Sequence, residues 1–299
     1  MKILLFGATG QVGIELQRSL SGLGELVICA RSGARWPADF DRPAEVAQVV
    51  RALRPDVIVN AAAWAAVDAA QAHAEAAFRV NAASPGAIAV EAHKIDALLL
   101  HYSSDYVFDG SGQRPWREDD PTRPLNVYGA AKLAGEQMIR ASGCRHLIVR
   151  TSGVWSPRGE GGNFVATVRA RLLAGQTLRV VDDQIGAPTP AALVADLSTQ
   201  LLQRSLTDGA VGGICHLAAG GETSWHGVAC VIAEALRARG HVVPEVQAVP
   251  SAAYPQAAPR PLNSRLDCSR LRRALGINAA DWPQWQPPIV QAIAGWPAG

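Results

Sequence analysis

The apolar run Ile3-Leu4-Leu5-Phe6 leads directly into Gly7-Ala8-Thr9-Gly10-Gln11-Val12-Gly13 and then into the helical pattern VGIELQRSL. Three glycines spaced three apart allow a tight turn, close backbone approach and close packing of helix on strand. A helix start there also turns free N–H groups and a positive dipole end toward a pyrophosphate. Between the first strand and first helix of a βαβ unit, such a turn reads as a dinucleotide site, with Gly7, Gly10, Gln11, Val12 and Gly13 as its expected residues.

The pattern continues through the first half. ELVICA, DVIVNAA, ALLLHYS and HLIVRTS read as buried strands. They alternate with the helical segments PAEVAQVVRALR, AAQAHAEAAFRVNAASPGAIAVEAHK and VYGAAKLAGEQMIRAS. This alternation predicts right-handed βαβ units, and near-continuous apolar strands predict a parallel sheet covered on both faces. After about Thr151, Gly and Pro cluster in SPRGEGGN and GAPTP. A helix (NFVATVRARLLAG), a strand (LRVVDD), a helix (AALVADLSTQLLQR), a strand (GGICHLA) and a Pro-rich loop (VPSAAYPQAAPRPLNSR) follow. The expected fold is α/β: a doubly wound parallel-sheet Rossmann fold with a smaller C-terminal substrate-binding domain. Residues 1–155 would form the NAD(P)-binding domain. Residues 156–299 would be mainly the substrate-binding domain, with about 192–218 returning to the Rossmann sheet.

The 28 basic and 26 acidic residues nearly balance, which excludes the electrostatic footprint of a nucleic-acid or membrane binder. The N-terminal apolar run of four is shorter than the ~7–15 residues of a signal-peptide core. No stretch of ~18 apolar residues suggests a membrane span. Five widely spaced cysteines without a C-x-x-C suit a reducing compartment, so the cytoplasm is expected.

Two further features carry chemistry. The second strand ends at Cys29-Ala30-Arg31, without the acid that serves an NAD ribose. Arg suits a 2′-phosphate, so NADPH is expected over NADH, with Arg31 as its reader and Arg35 nearby. Tyr128 is followed four residues later by Lys132, one of only three lysines in the chain. On a helix the two share a face. An ammonium there would lower a phenol's pKa toward the working range, letting Tyr128 protonate a carbonyl oxygen as hydride arrives at carbon. The fourth strand ends in Ser103-Ser104-Asp105, where a doubly wound sheet presents ligands. Ser104 is expected to bind the substrate oxygen and Ser103 to face the sheet.

The glycine turn, the strand-end Ser and the Tyr–Lys pair resemble the extended short-chain dehydrogenase/reductase superfamily. The strings LLFGATGQVG, RPDVIVNAAA, HYSSDYVFDG, PLNVYGAAKLAGE, DDQIGAPTPAALVAD and AYPQAAPRPLNSRLD narrow the resemblance to the dTDP-4-dehydrorhamnose reductase family, over nearly the whole chain. The resemblance implies NADPH-dependent reduction of the C4 ketone of dTDP-4-dehydro-β-L-rhamnose to dTDP-β-L-rhamnose, the last step of dTDP-L-rhamnose synthesis for cell-surface polysaccharide. It implies Tyr128 as proton donor, Lys132 on the nicotinamide ribose, and Ser104 and Asp105 at the sugar. Asp39 and Phe40 would lie by the adenine, and Ala62, Ala63 and Tyr102 along the cofactor. The partners it implies are a nucleotide-sugar substrate and a homodimer.

The chain also departs from the family pattern. Trp64-Ala65 stands where Tyr or His followed by Thr is usual. Gly153 stands where a Trp usually lines the sugar pocket, so either Trp155 fills that space or the pocket has changed. Of the acids that hold Mg²⁺ in some members, Glu15 matches one, but Ala192 stands where a Glu is common.

Other groups carry less. His216 and His226, flanking a strand and a loop beside Cys215, lack metal-ligand spacing. Asp182-Asp183 reads as a turn and Glu118-Asp119-Asp120 as a solvated loop. Arg260 and Arg265 are candidates to clamp a diphosphate, for which guanidinium geometry is suited. Two alternatives stand beside the reductase. One is an NAD-linked nucleotide-sugar epimerase or dehydratase, against which Arg31 argues. The other is a non-catalytic NADP-binding regulatory subunit, against which the intact Tyr128, Lys132 and Ser104 argue.

Overall fold

Apolar runs of four to seven residues become the strands of one parallel sheet. The computed structural model describes residues 1–31, 35–158, 162–209 and 211–296. The first half contains strands β1 (Lys2–Phe6), β2 (Glu25–Ala30), β3 (Trp36–Pro37), β4 (Val57–Asn60), β5 (Leu98–Ser104) and β6 (His146–Thr151). Between them run helices α1 (Gln11–Leu20), α2 (Pro43–Leu53), α3 (Val67–Ala72), α4 (Ala74–Phe78), α5 (Ser84–Lys94) and α6 (Val127–Ala141). The second half holds β7 (Val154–Trp155), α7 (Phe164–Leu173), β8 (Leu178–Val181), β9 (Ile185–Gly186), β10 (Thr189–Pro190) and α8 (Ala191–Thr207). It ends with β11 (Gly213–Leu217), β12 (Thr223–Ser224), α9 (Trp225–Ala238), β13 (Val246–Val249), α10 (Ser269–Leu275) and α11 (Gln286–Gly295).

Among the described residues, seven strands form a parallel sheet in the order β11-β6-β5-β4-β1-β2-β3. Every residue of β4 and β5 is buried, as expected when helices cover both faces. On one face, α1 and α8 pack over Ile3, Leu5, Val57, Leu100 and Val149. On the other, α2 and α5 cover Leu4, Phe6, Ile58, Leu99 and Ile148. The chain crosses over beyond β1, so the carboxyl ends of β1 and β4 flank the switch point where such sheets bind ligands.

The Ala-rich segment expected as one helix over residues 69–94 is broken. His73 leaves helical geometry (φ −126°, ψ 53°), and Arg79–Ala83 forms a π turn before α5. Pro85 lacks the N–H that would bond back to the Asn81 carbonyl, and the turn there widens.

A second core lies outside the sheet. Trp155, Val165, Leu172, Leu178, Val228, Ile232, Leu236, Ile289 and Ile293 pack together from α7, β8, α9 and α11. The sequence pattern had not resolved α9, β13, α10 or α11. His226, expected near a strand and loop, is in α9. Besides α8 and β11, α10 also returns to the first half, packing on both of them and placing Cys268 and Leu271 in the first core. No helix among the described residues is long and apolar enough to cross a membrane.

Candidate active site

A cleft of about 1210 Å³ opens at the carboxyl ends of β1, β4 and β5 and runs to the second core. Its cofactor end is made by the glycine turn. A Cβ on Gly13 would lie 2.0 Å from the Gly7 carbonyl oxygen, so only glycine lets α1 approach β1 this closely. Gly10, the N-cap of α1, places no side chain over the helix start. Gly10, Gln11 and Val12 line the cleft there, so the start of α1 opens onto it, an arrangement that fits a pyrophosphate. Gly7, Phe40, Ala62, Ala63 and Arg31 also line this end. Arg31 is exposed and lies 3.8 Å from Asp39, which does not itself line the cleft.

The chemical end is built by β5 and α6. Asn126 caps α6 by accepting the Gly129 N–H at 2.8 Å and ties it to the Pro-rich loop by donating to the Pro259 carbonyl at 2.8 Å. Tyr128, in the first turn, lines the cleft with Ser104 and Asp105. Its phenol lies beside the Ser104 hydroxyl. That hydroxyl donates to Asp105 Oδ1 at 3.1 Å and accepts the Tyr106 N–H at 3.2 Å. The Tyr106 ring meets Tyr128 edge to face, 5.6 Å between centroids. Burial pushes Tyr128 up to about 12, with the Ser104 hydroxyl drawing it back. Burial also raises the Asp105 carboxyl to about 6, against hydrogen bonds from Ser264 and Ser104.

Several expected placements change. Lys132 is 2% exposed and does not line the cleft. Its ammonium donates to the Tyr102 carbonyl at 2.5 Å, and it is not among the groups that lower Tyr128. Desolvation pushes Lys132 itself down to about 8. The Tyr102 side chain faces the sheet core and not the cofactor groove. Trp155, proposed for the sugar pocket, is buried in the second core. The cleft wall opposite Gly153 is instead Trp225, whose Cη2 lies 3.6 Å from where a Gly153 side chain would begin. Trp64 turns away from the cleft and packs with Tyr128 on Ala70, Ala77 and Ala131. Ser103 donates to Glu136.

Arg260 reaches the cleft beside Pro261 and Ser264, its fork bonded to Asp68 at 3.1 and 2.8 Å. Arg265 is engaged by Glu222. Glu118 is not solvated: its side chain is 6% exposed and accepts the His216 N–H. Asp183 takes both the N–H and the hydroxyl of Ser251. Glu15 is buried, with its carboxylate held by Arg158 at 2.8 Å and Arg18 at 3.5 Å. Two guanidiniums already balance that charge, so the residues present do not fit Mg²⁺. No other cluster among the described residues could hold a metal.

The sequence reading missed Trp225, Phe164 and Ser264, all lining the cleft. Phe164 and Trp225 pack at a tilt of 53° with centroids 4.7 Å apart. A readable signal preceded Trp225: Ser224 caps α9, and Val228, Ile232 and Leu236 recur at four-residue spacing.

A family model described as the RmlD substrate binding domain matches residues 1–294. The dTDP-4-dehydrorhamnose reductase of Salmonella typhimurium is 46% identical over 288 residues, 96% of this chain and 95% of the relative. The chain belongs to the dTDP-4-dehydrorhamnose reductase family. Among solved structures, a Clostridium acetobutylicum member of the family superposes with TM-score 0.85 at 29% identity, covering 98% of this chain and 99% of that one. A Bacillus anthracis member in complex with NADP superposes with TM-score 0.83 at 29% identity, covering 98% of both chains. In this chain Tyr128 and the glycine turn lie on one cleft.

Proposed function

We propose that this protein is an NADP-dependent oxidoreductase that reduces the C4 ketone of dTDP-4-dehydro-β-L-rhamnose to dTDP-β-L-rhamnose in the cytoplasm, completing dTDP-L-rhamnose synthesis. The observation that carries the reading is that Tyr128, Ser104 and Asp105 line the head of a cleft whose other end is an open helix N-terminus. In this reading residues 1–155 hold the cofactor. Residues 156–299 hold mainly the sugar, apart from about 192–218, which complete the first sheet.

When bound, NADPH supplies the hydride. The protein's own residues do the rest. The first turn of α1 receives the pyrophosphate, and Arg31 meets the 2′-phosphate of NADPH in preference to NADH. Ser104 and Tyr128 present two hydroxyls to the ketone oxygen. Reduction needs a proton on the phenol, and burial keeps Tyr128 protonated at neutral pH. As the C4 oxygen gains negative charge, Tyr128 gives up its proton to it. Lys132, with its ammonium on the Tyr102 carbonyl beneath the cleft, anchors α6 and with it Tyr128 against β5. Trp225 and Phe164 form the apolar wall for the sugar, and Arg260 is placed for the diphosphate.

The test is to follow NADPH oxidation with the dTDP-4-keto-6-deoxy sugar formed by the preceding pathway enzymes. Turnover to dTDP-rhamnose is expected. NADPH binding without turnover of that sugar would overturn the reading.

A further inference from the structure

Tyr128, Lys132 and Glu136 are spaced four apart on α6 and share one helix face. Each meets one of three consecutive residues at the end of β5. Tyr128 lies beside the Ser104 hydroxyl, Lys132 donates to the Tyr102 carbonyl, and the Ser103 hydroxyl donates to Glu136 Oε1 at 2.5 Å. The third point differs from the other two because it reaches a second strand. Glu136 is 1% exposed and Arg150, on β6, is 3% exposed. Arg150 Nε donates to Oε1 at 2.9 Å and Nη2 to Oε2 at 2.7 Å. Arg150 is fixed in turn: Nη1 donates to the Glu118 carbonyl at 3.2 Å, and the guanidinium lies over Phe108, 5.1 Å from its centroid.

A buried ion pair is a poor general stabiliser, since apolar residues of similar volume often serve as well. A bidentate fork does fix geometry in a way that apolar contacts cannot. We infer that Glu136, gripped by Arg150, is a positioning residue that sets the register of α6 on β5 and β6 and supplies the counter-charge for Lys132. It touches neither substrate nor cofactor and acts through Tyr128 and Lys132, so the inference rests on the roles proposed for them above.

The electrostatics agree. Desolvation pushes Lys132 down, and Glu136 is the group that pulls it back up. Facing Lys132 from β5 is His101, which burial and Lys132 together keep neutral. Arg150 of β6 lies beyond Glu136, and Asp105 lies at the cleft end. Acids on the other helices packed against α6 are engaged elsewhere: Asp68 by Arg260, Glu75 by Arg79, and Glu91 by Lys94. Glu136 is thus the carboxylate set against Lys132.

The experiment is the pH profile of kcat, from about pH 6 to about pH 10, for the wild type, Glu136→Gln, Glu136→Asp, and Glu136→Gln combined with Arg150→Gln. In Glu136→Gln, kcat should fall about tenfold and the alkaline limb should move about one unit lower, because Lys132 loses its counter-charge. KM for sugar and NADPH should stay within about twofold, since no binding contact is removed. Glu136→Asp should restore the limb toward wild type. The double variant removes the Arg150 charge together with that of Glu136, so no guanidinium is stranded, and it should show the same shift if the single variant does not fold. An unmoved alkaline limb in either folded variant overturns the inference. Failure of both to fold overturns it as well, because the pair is then purely structural. Inactivity of the wild type toward the sugar would instead overturn the function proposed above. A wild type that turns over with an unmoved variant limb sinks the positioning role alone.

Discussion

Trp225 Cη2 lies 3.6 Å from the point where a side chain would leave Gly153. Gly153 has φ +58°, and a Cβ there would also press to 3.2 Å from the Ala187 carbonyl oxygen and 3.3 Å from Pro188 Cα. The aromatic side chain at this part of the cleft wall therefore comes from α9 and not from Trp155. Trp225→Ala should raise KM for the sugar nucleotide roughly tenfold, as losing an aromatic contact of about 1 kcal/mol or more implies. The Kd for NADPH should not change. Steady-state kinetics with a parallel cofactor titration check this, and an unchanged KM would remove Trp225 from the sugar wall.

Tyr128→Phe removes the hydroxyl that lies beside Ser104 while leaving the ring that packs edge to face on Tyr106. A proton donor contributes about 10²–10⁴ in rate, so kcat should fall by about that factor with NADPH binding retained. Ser104→Ala should also lower kcat while leaving the fold intact. Single-turnover rates alongside NADPH binding measure both effects. Full activity in Tyr128→Phe would move the proton donor elsewhere.

The outcome at these residues shows where legibility stops. Tyr128, Ser104 and the glycine turn were readable because their function depends on local spacing: i to i+4 on a helix, a strand end, three glycines in seven residues. Lys132 was located by the same spacing, but the direction of its ammonium was not. That depends on the Tyr102 carbonyl, which tertiary packing brings beneath α6. Trp155 was misplaced because neighbouring positions on a two-residue strand point to opposite faces, and the sequence does not say which face is core. The parallel sheet covered on both faces followed from the strand–helix alternation. The break at His73 and the π turn before Pro85 did not, since alanines carry the helical pattern straight through them. The second core was largely invisible because its helices α9 and α11 come after loops that carry no repeating period.

Asp105 gives a stability prediction with a defined sign. Its folded pKa is raised from 3.8 to about 6 by burial. The folded chain therefore holds a proton that the unfolded chain has released. The stability this confers is present below about pH 4 and is lost as pH rises through about 6, on the order of 2–3 kcal/mol. Asp105→Asn cannot titrate. Urea unfolding of the two proteins at several pH values should show the wild type losing stability relative to the variant over that window. Parallel curves would mean that Asp105 titrates in the fold as it does in the unfolded chain.

Arg31 sits at the rim of the cofactor end with its side chain 81% exposed, 3.8 Å from Asp39. An exposed pair at that separation contributes little, so the guanidinium is free to turn to a 2′-phosphate. β2 ends with Ala30 and then Arg31, leaving no carboxylate there to favour the ribose hydroxyls of NADH. Arg31→Asp reverses both conditions at once: it removes the cation that meets the phosphate and adds an acid that repels it. A charge-assisted hydrogen bond of about 1.5–3 kcal/mol corresponds to a change of roughly ten- to a hundredfold in the NADPH to NADH ratio of kcat/KM. The loss should fall on KM for NADPH and leave kcat largely intact, because Arg31 is remote from Tyr128 and Ser104. Kinetics with each cofactor at saturating sugar measure the ratio. If it does not move, the 2′-phosphate is read by another group, and Arg35, exposed and four residues on, is the next residue to substitute.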